Sequence, residues 1–256
     1  MLVTTTPRPD ERLLEQAARL AEELAARRVD RSKHTLAALM KQSGDPYMLV
    51  AGREGLRLAD CSGGEWFFHP SMATVRVKRL LAGSGDAMLA AAGVRPGDTV
   101  VDCTMGLATD AIVFAHAVGP SGRVTALESE PLPYVLAREG LSGYRCEPEP
   151  LEQAMRRVQP VLADHLSYLK SLPDRSADIV YFDPMFRKSA AGSAIEPLRG
   201  MANRAALQPE AVAEAMRVAR RTVVMKEHNR SGEFERLGFR PVMSGQSKIT
   251  YGVIAL

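Results

Sequence analysis

Cysteines, glycine-rich loops, long apolar runs and a strong charge of either sign are all scarce in this chain of 256 residues, and each scarcity excludes a class of function. Cys61, Cys103 and Cys146 stand far apart with no CxxC pair, which argues against a zinc ribbon or a thioredoxin-like motif. An odd, scattered set of thiols fits a reducing compartment, so a cytoplasmic location is expected, and no metal is expected. No run approaches the roughly 18 apolar residues of a membrane span, and the N-terminus lacks the basic-then-apolar order of a secretory signal. The net charge of +3, with a pI near 8.8, permits an anionic partner such as nucleic acid but falls short of a dedicated nucleic-acid binder. Internal repeats and low-complexity tracts are absent.

What is present divides the chain in two. Residues 3–6 are β-branched, and after two prolines Asp10 can cap an amphipathic helix over 10–28, with Leu13, Ala17, Leu20 and Leu24 at helical spacing. Ser32 can cap a second helix toward Lys41, and the cations Arg27, Arg28, Arg31 and Lys33 form either a solvated helix end or a phosphate contact. Short strands are expected at 47–50, 56–59 and 66–69, and Gly83-Ser84-Gly85 marks a boundary. The expectation is a small α+β subdomain over 1–84 and a main domain over 85–256. In that main domain, strands near 99–103, 124–128, 158–162, 178–183, 221–226, 239–244 and 248–254 alternate with helices. Such alternation is the pattern of an α/β fold with a mainly parallel, Rossmann-like sheet.

The stretch 178–182 is an apolar run that ends abruptly on Asp183-Pro184-Met185-Phe186. Proline cannot continue a ladder, so this strand stops at the edge of the sheet, where open α/β sheets bind ligands. Asp102, Glu128, Asp164 and Asp183 fall at four successive strand ends. After Asp102 comes the small-residue turn with Thr104, Gly106 and Asp110, which lets backbone approach a ligand, and Glu128 can accept hydrogen bonds from ribose hydroxyls. A dinucleotide would need G-x-G-x-x-G for its pyrophosphate, but this turn has Gly106 alone and acids where phosphates would sit. The cationic sulfonium and ammonium of S-adenosylmethionine suit such a turn, and Asp164-His165 is placed to contact an adenine. The structural alternative is that Asp102 caps the turn and Asp164 the following helix.

On the acceptor side, an exocyclic nucleobase amine is a poor nucleophile because its lone pair is delocalised. A carboxylate, Asp183, and the Pro184 carbonyl could accept its hydrogens while the Phe186 ring stacks on the base, so catalysis would be mainly positioning. The alternative is a tight turn with a buried ring. Arg187, Lys188 and Lys226 are phosphate candidates. Phe67, Phe68 and His69 followed by Arg76, Lys78 and Arg79 could line a nucleic-acid cleft, or could be core aromatics and an exposed helix face.

The stretch Val100-Val101-Asp102-Cys103-Thr104-Met105-Gly106-Leu107-Ala108-Thr109-Asp110-Ala111, read with Tyr181-Phe182-Asp183-Pro184-Met185-Phe186, resembles the class I methyltransferases. Within these it is similar to the family of the small-subunit ribosomal RNA guanine-N2 methyltransferase J and its Bacillus-type relatives, over roughly residues 65–256. The resemblance implies a seven-stranded class I sheet and methyl transfer from S-adenosylmethionine to a guanine N2 in RNA. It places Thr109 and Asp110, Glu128 and Ser129, Asp164 and His165, and Asp183 at the cofactor. Two positions depart from the family pattern: Arg187 replaces a usual proline, and Ala108 stands where a second glycine is expected. The other open readings are methylation of DNA, protein or a small amine, or a non-catalytic cofactor- or RNA-binding module.

Overall fold

The computed structural model describes residues 1–184, 206–242 and 248–256, so the expectations for Phe186, Arg187 and Lys188 lie outside the described residues. The chain forms two compact units. One comprises Met1–His69 with Val135–Tyr144, and the other Pro70–Tyr134 with Arg145–Leu256.

The first unit carries β1 (Leu2–Thr5), α1 (Glu11–Glu23), β2 (Arg27–Arg28), α2 (Leu36–Ser43), β3 (Tyr47–Gly52), β4 (Gly55–Asp60) and β5 (Glu65–Phe67). Its sheet has the order β2-β1-β3-β4-β5, with β1 parallel to both neighbours and β3, β4 and β5 an antiparallel meander. Leu2, Met48 and Val50 pack against Leu39 and Met40 of α2. Two expectations are corrected here. The first helix stops at Glu23, five residues early, because Arg27 and Arg28 instead pair with Leu2 and Val3 as an edge strand. The second helix is capped by Thr35, whose side chain accepts from Ala38 N at 3.2 Å, and not by Ser32, which sits at a φ of 42°.

The second unit carries α3 (Ser71–Leu81), α4 (Ala87–Ala92), β6 (Thr99–Asp102), α5 (Thr109–Val118), β7 (Arg123–Glu128), α7 (Glu149–Arg157), β8 (Val158–Leu162) and α8 (His165–Ser171). β9 (Ala177–Phe182), α9 (Pro209–Val218), β10 (Ala219–His228), α10 (Glu233–Leu237), β11 (Arg240–Val242) and β12 (Ile249–Ala255) complete it, while most of α6 (Pro131–Gly143) groups with the first unit. The units part at 69/70, upstream of the expected 84/85, because α3 turns Ala73, Val77 and Arg76 into the second unit.

The seven strands run β11-β12-β10-β9-β6-β7-β8, all parallel except β12. From β6 the chain winds outward through β7 to β8, then returns to place β9 on the other side of β6. This reversal opens a crevice beyond the carboxyl ends of β6 and β9, the standard ligand position in such sheets. The expected Rossmann-like class I sheet is therefore the observed one. α5 is buried nearly all round, with Ile112, Val113, Phe114 and Ala115 at zero exposure, so the helix leaving β6 is a fixed wall of that crevice. No helix among the described residues is long and apolar enough to cross a membrane.

β12, between β11 and β10, has one position where a side chain would collide with the core. A Cβ on Gly252 would lie 2.3 Å from Phe234 Cδ1 and 2.8 Å from Phe239 Cβ, both core atoms. Gly252→Ala should therefore destabilise the protein by about 1–3 kcal/mol through overpacking, read as a lowered denaturant midpoint with an unchanged slope.

Candidate active site

β6 delivers the first acid. Asp102 ends the strand at 1% exposure, and its Oδ1 accepts the Thr104 amide at 3.0 Å and lies 3.4 Å from the Thr104 hydroxyl. The Thr104 hydroxyl oxygen in turn accepts the Asp183 amide at 2.6 Å, tying the turn after β6 to the residue just beyond β9. Burial pushes the Asp102 carboxyl up to about 8, with Asp110 and Asp183 adding to the rise and the Thr104 amide opposing it. Burial thus favours the protonated form of this carboxyl.

The turn itself is held from β7. Glu128 Oε2 accepts the Gly106 amide and Oε1 the Glu130 amide, each at 3.0 Å, while Met105 N donates to Leu127 O at 2.7 Å. Burial also raises the Glu128 carboxyl. Gly106 has a φ of 52°, and nothing lies within 4 Å of where a Cβ would be, so backbone at this point faces open space. Thr109 is the first residue of α5, and the Ser129 hydroxyl lies beside Glu130. After β8, Asp164 accepts the Ser167 amide at 2.9 Å and caps α8, as one reading of the sequence expected. The His165 ring meets Phe182 edge-on at 5.8 Å, and burial lowers its pKa, so the imidazole is neutral near pH 7.

Asp183 follows β9 directly, and Lys226 reaches it from β10. Lys226 Nζ lies 2.7 Å from Asp183 Oδ2 and 2.9 Å from Asp110 Oδ2. Asp110 also receives the Tyr181 hydroxyl at 2.8 Å and the Arg76 guanidinium, and Arg76 forks onto Asp86 at 2.7 and 2.8 Å. Burial alone would raise Asp110, yet Lys226 and then Arg76 hold it well below the carboxylate range. Against burial, Asp110 and Asp183 raise Lys226, so the ammonium stays charged. Asp183 is pushed up to about 6 by burial, because Asp110 offsets part of what Lys226 supplies.

The structure thus brings Asp102, Thr104, Asp110, Asp183, Lys226 and Arg76 into one cluster. Lys226 and Arg76, expected as phosphate contacts, spend their charge on internal carboxylates. His69 lies in the first unit, its ring edge-on to Tyr144 at 5.6 Å. Pro184 is half-buried beside Asp183. Tyr181 and Asp86 were missed by the sequence reading. A tyrosine in a buried strand signals a hydroxyl in need of a partner, and Asp86 before Ala87-Met88-Leu89 is an N-cap signature. Among the described residues, no group of His, Cys, Asp or Glu could hold a metal ion.

Sheet order, switch point and acid-lined crevice together define a class I methyltransferase fold. Residues 33–248 match the model of the family described as "Putative SAM-dependent methyltransferase", and the chain belongs to that family. It is an S-adenosylmethionine-dependent methyltransferase. The chain is 42% identical over 254 residues to the uncharacterized protein YpiP of Bacillus subtilis, covering 99% of this chain and 98% of that one. It is 29% identical over 185 residues to ribosomal RNA small subunit methyltransferase J of Shewanella amazonensis, covering 70% and 72%. The same-named protein of Mannheimia succiniciproducens is 36% identical over 106 residues, 41% of this chain and 40% of that one. In fold, the chain is similar to the SAM-dependent methyltransferase NGO1261 of Neisseria gonorrhoeae, with a TM-score of 0.63, 18% identity and coverage of 100% and 96%.

The raised Asp102 carboxyl has a consequence for stability. Between the ordinary value of 3.8 and about 8, the folded state keeps a proton that the unfolded chain has released, so stability falls as pH rises through that window. Asp102→Asn keeps the oxygen that accepts the Thr104 amide and removes the titration. Its stability relative to the parent should improve by about 2–4 kcal/mol between pH 4 and pH 8. Urea midpoints at both pH values check this.

Proposed function

We propose that this enzyme methylates an exocyclic amine of a nucleobase in RNA, the guanine N2 of small-subunit ribosomal RNA. The observation that carries the reading is Asp183, held on the rim of the crevice by Thr104 through its amide and by Lys226 through its carboxylate, and followed by Pro184. Similarity to the ribosomal RNA methyltransferase J of Shewanella amazonensis over 72% of that protein's length supports the RNA substrate.

The cofactor suits the residues present. Glu128 spends one lone pair of each oxygen on a backbone amide and retains acceptor capacity for ribose hydroxyls. Asp102 can offer a carboxylate to a cation, and a pyrophosphate would meet the Asp102 and Glu128 carboxyls at this turn. Asp102, Thr104, Gly106, Thr109, Glu128, Ser129, Asp164 and His165 would hold S-adenosylmethionine, with Asp110 bracing the turn from behind. When bound, the cofactor would supply an activated methyl group carried on a sulfonium sulfur.

The chain's own part is to place that nitrogen. The Asp183 carboxylate and the Pro184 carbonyl accept the two amine hydrogens, which fixes the lone pair in direction and lessens its delocalisation into the ring.

Incubation with labelled S-adenosylmethionine and RNA from a strain lacking the gene should label small-subunit ribosomal RNA at N2-methylguanosine. Asp183→Ala should lower kcat by about 10²-fold or more with cofactor affinity retained. Label absent from every RNA fraction, despite cofactor binding, would overturn the RNA assignment.

Cofactor binding should also release protons near pH 7, because a cation beside Asp102 draws off the proton that burial retains. Affinity should strengthen from pH 6 to pH 8. Calorimetry in buffers of different ionisation enthalpy reads the released proton, and Asp102→Asn should abolish it.

A further inference from the structure

Two carboxylates share one ammonium in this crevice. Lys226 Nζ bridges Asp110 Oδ2 and Asp183 Oδ2 at 2.9 and 2.7 Å, and its side chain is 22% exposed. The two acids are not equivalent in what else they hold. Asp110 has the Arg76 guanidinium and the Tyr181 hydroxyl, and Arg76 is itself anchored on Asp86. Asp183 has Lys226 alone as its cation among the described residues. Its backbone is pinned by the bond from its amide to the Thr104 hydroxyl, so the side-chain torsion is the freedom that Lys226 removes.

We propose that Lys226 is a positioning residue for methyl transfer. Clamped by Asp110, it holds Asp183 in one orientation and keeps it the anionic acceptor that an exocyclic amine needs. The assignment rests on the amine-methylation reading given under Proposed function.

Without the ammonium, two carboxylates would face each other in a half-buried site, and one would take up a proton. Arg76 keeps Asp110 ionised, so the proton would go to Asp183. A protonated Asp183 turns a donor toward the amine and gives up part of its acceptor capacity. It also loses its capacity as a base: the nitrogen that gains a methyl group must shed a proton, and the Asp183 carboxylate can take that proton and return it to water. The remaining groups facing this pair do not supply the missing charge. Asp102 from β6 is protonated at neutral pH, and burial raises Tyr181 from β9 and Tyr251 from β12, so both phenols stay neutral. Arg76 from α3 is already committed to Asp86 and Asp110.

The test reads Asp183 itself. In full-length protein labelled with ¹³C at aspartate carboxyls, Asp183→Asn assigns the Asp183 signal. In K226M that signal should titrate about two pH units higher than in the parent. The acidic limb of the kcat/KM profile for RNA should move in the same direction, with kcat at pH 7 falling about tenfold or more while cofactor Kd changes little. The double variant D110N/K226M removes one anion with the cation, and should bring the Asp183 titration back toward the parent value. A merely structural lysine would not be rescued by a second buried substitution, and this variant keeps the test open if K226M alone does not fold. An unchanged Asp183 titration in K226M, or no return in the double variant, overturns the proposal. A shifted signal in a protein that methylates no RNA supports the positioning role and overturns the substrate assignment alone.

Discussion

A buried charge must be paired, and in this crevice that requirement is met by a single alternating chain: Asp86, Arg76, Asp110, Lys226 and Asp183. These side chains come from α3, the N-cap of α4, α5, β10 and the end of β9, so the chain is satisfied only when all five elements have reached their final places. Such buried pairs are weak evidence of net stability, since desolvation offsets much of the attraction. Their value here is geometric, because removing any one member strands its neighbour. Lys226 pairs in register with Tyr251 across the antiparallel β12, whose close approach depends in turn on Gly252. The Asp183 carboxylate is thereby set by packing on the far side of the sheet as well as by its own strand.

The two ends of the sheet treat their acids differently. At the amino ends, Asp98 accepts the Arg95 amide at 2.7 Å and pairs with Arg221, and Asp178 accepts the Thr99 amide at 2.8 Å and pairs with Arg220. Those carboxylates are matched by arginines and work as staples. At the carboxyl ends, Asp102 and Glu128 accept backbone amides and have no cation bonded to them among the described residues. Burial raises both carboxyls above their ordinary values. Both differ from the arginine-matched pair at the amino ends, and also from Asp183 after β9, which is paired with Lys226.

This asymmetry explains what could be read from the sequence. Strand runs, their closing acids and the Pro184 stop are local signals, and β8 falls at 158–162 as its pattern indicates. The pairs that organise the site are not local: Lys226 and Asp110 are separated by 116 positions, and Arg76 and Asp110 by 34. A cation at a strand end or on a helix face looks like a phosphate contact until its partner is seen, which is why Arg76 and Lys226 were expected to face a substrate. The early end of α1 has the same origin. Nothing around Leu24 forbids another turn of helix, and the strand pairing of Arg27 with Leu2 decides the outcome.

Ala108 shows how a departure from family pattern is to be weighed. It holds φ 63° and ψ 20°, a left-handed conformation that favours glycine and costs an L-residue about 1–2 kcal/mol. The turn keeps the geometry regardless, with the Ala108 amide on Met105 O at 2.7 Å and its carbonyl accepting Ile112 N at 2.9 Å. The residue is fully buried, so its methyl group packs into protein and takes no room from the crevice. Open space is needed at Gly106, and there the backbone is bare. The missing second glycine therefore taxes the stability of the turn and leaves its capacity to receive a cofactor intact. What the site requires is the path of the backbone from Asp102 to Asp110, and the hydrogen bonds from Glu128 and Leu127 fix that path more firmly than the identity of the residue at 108.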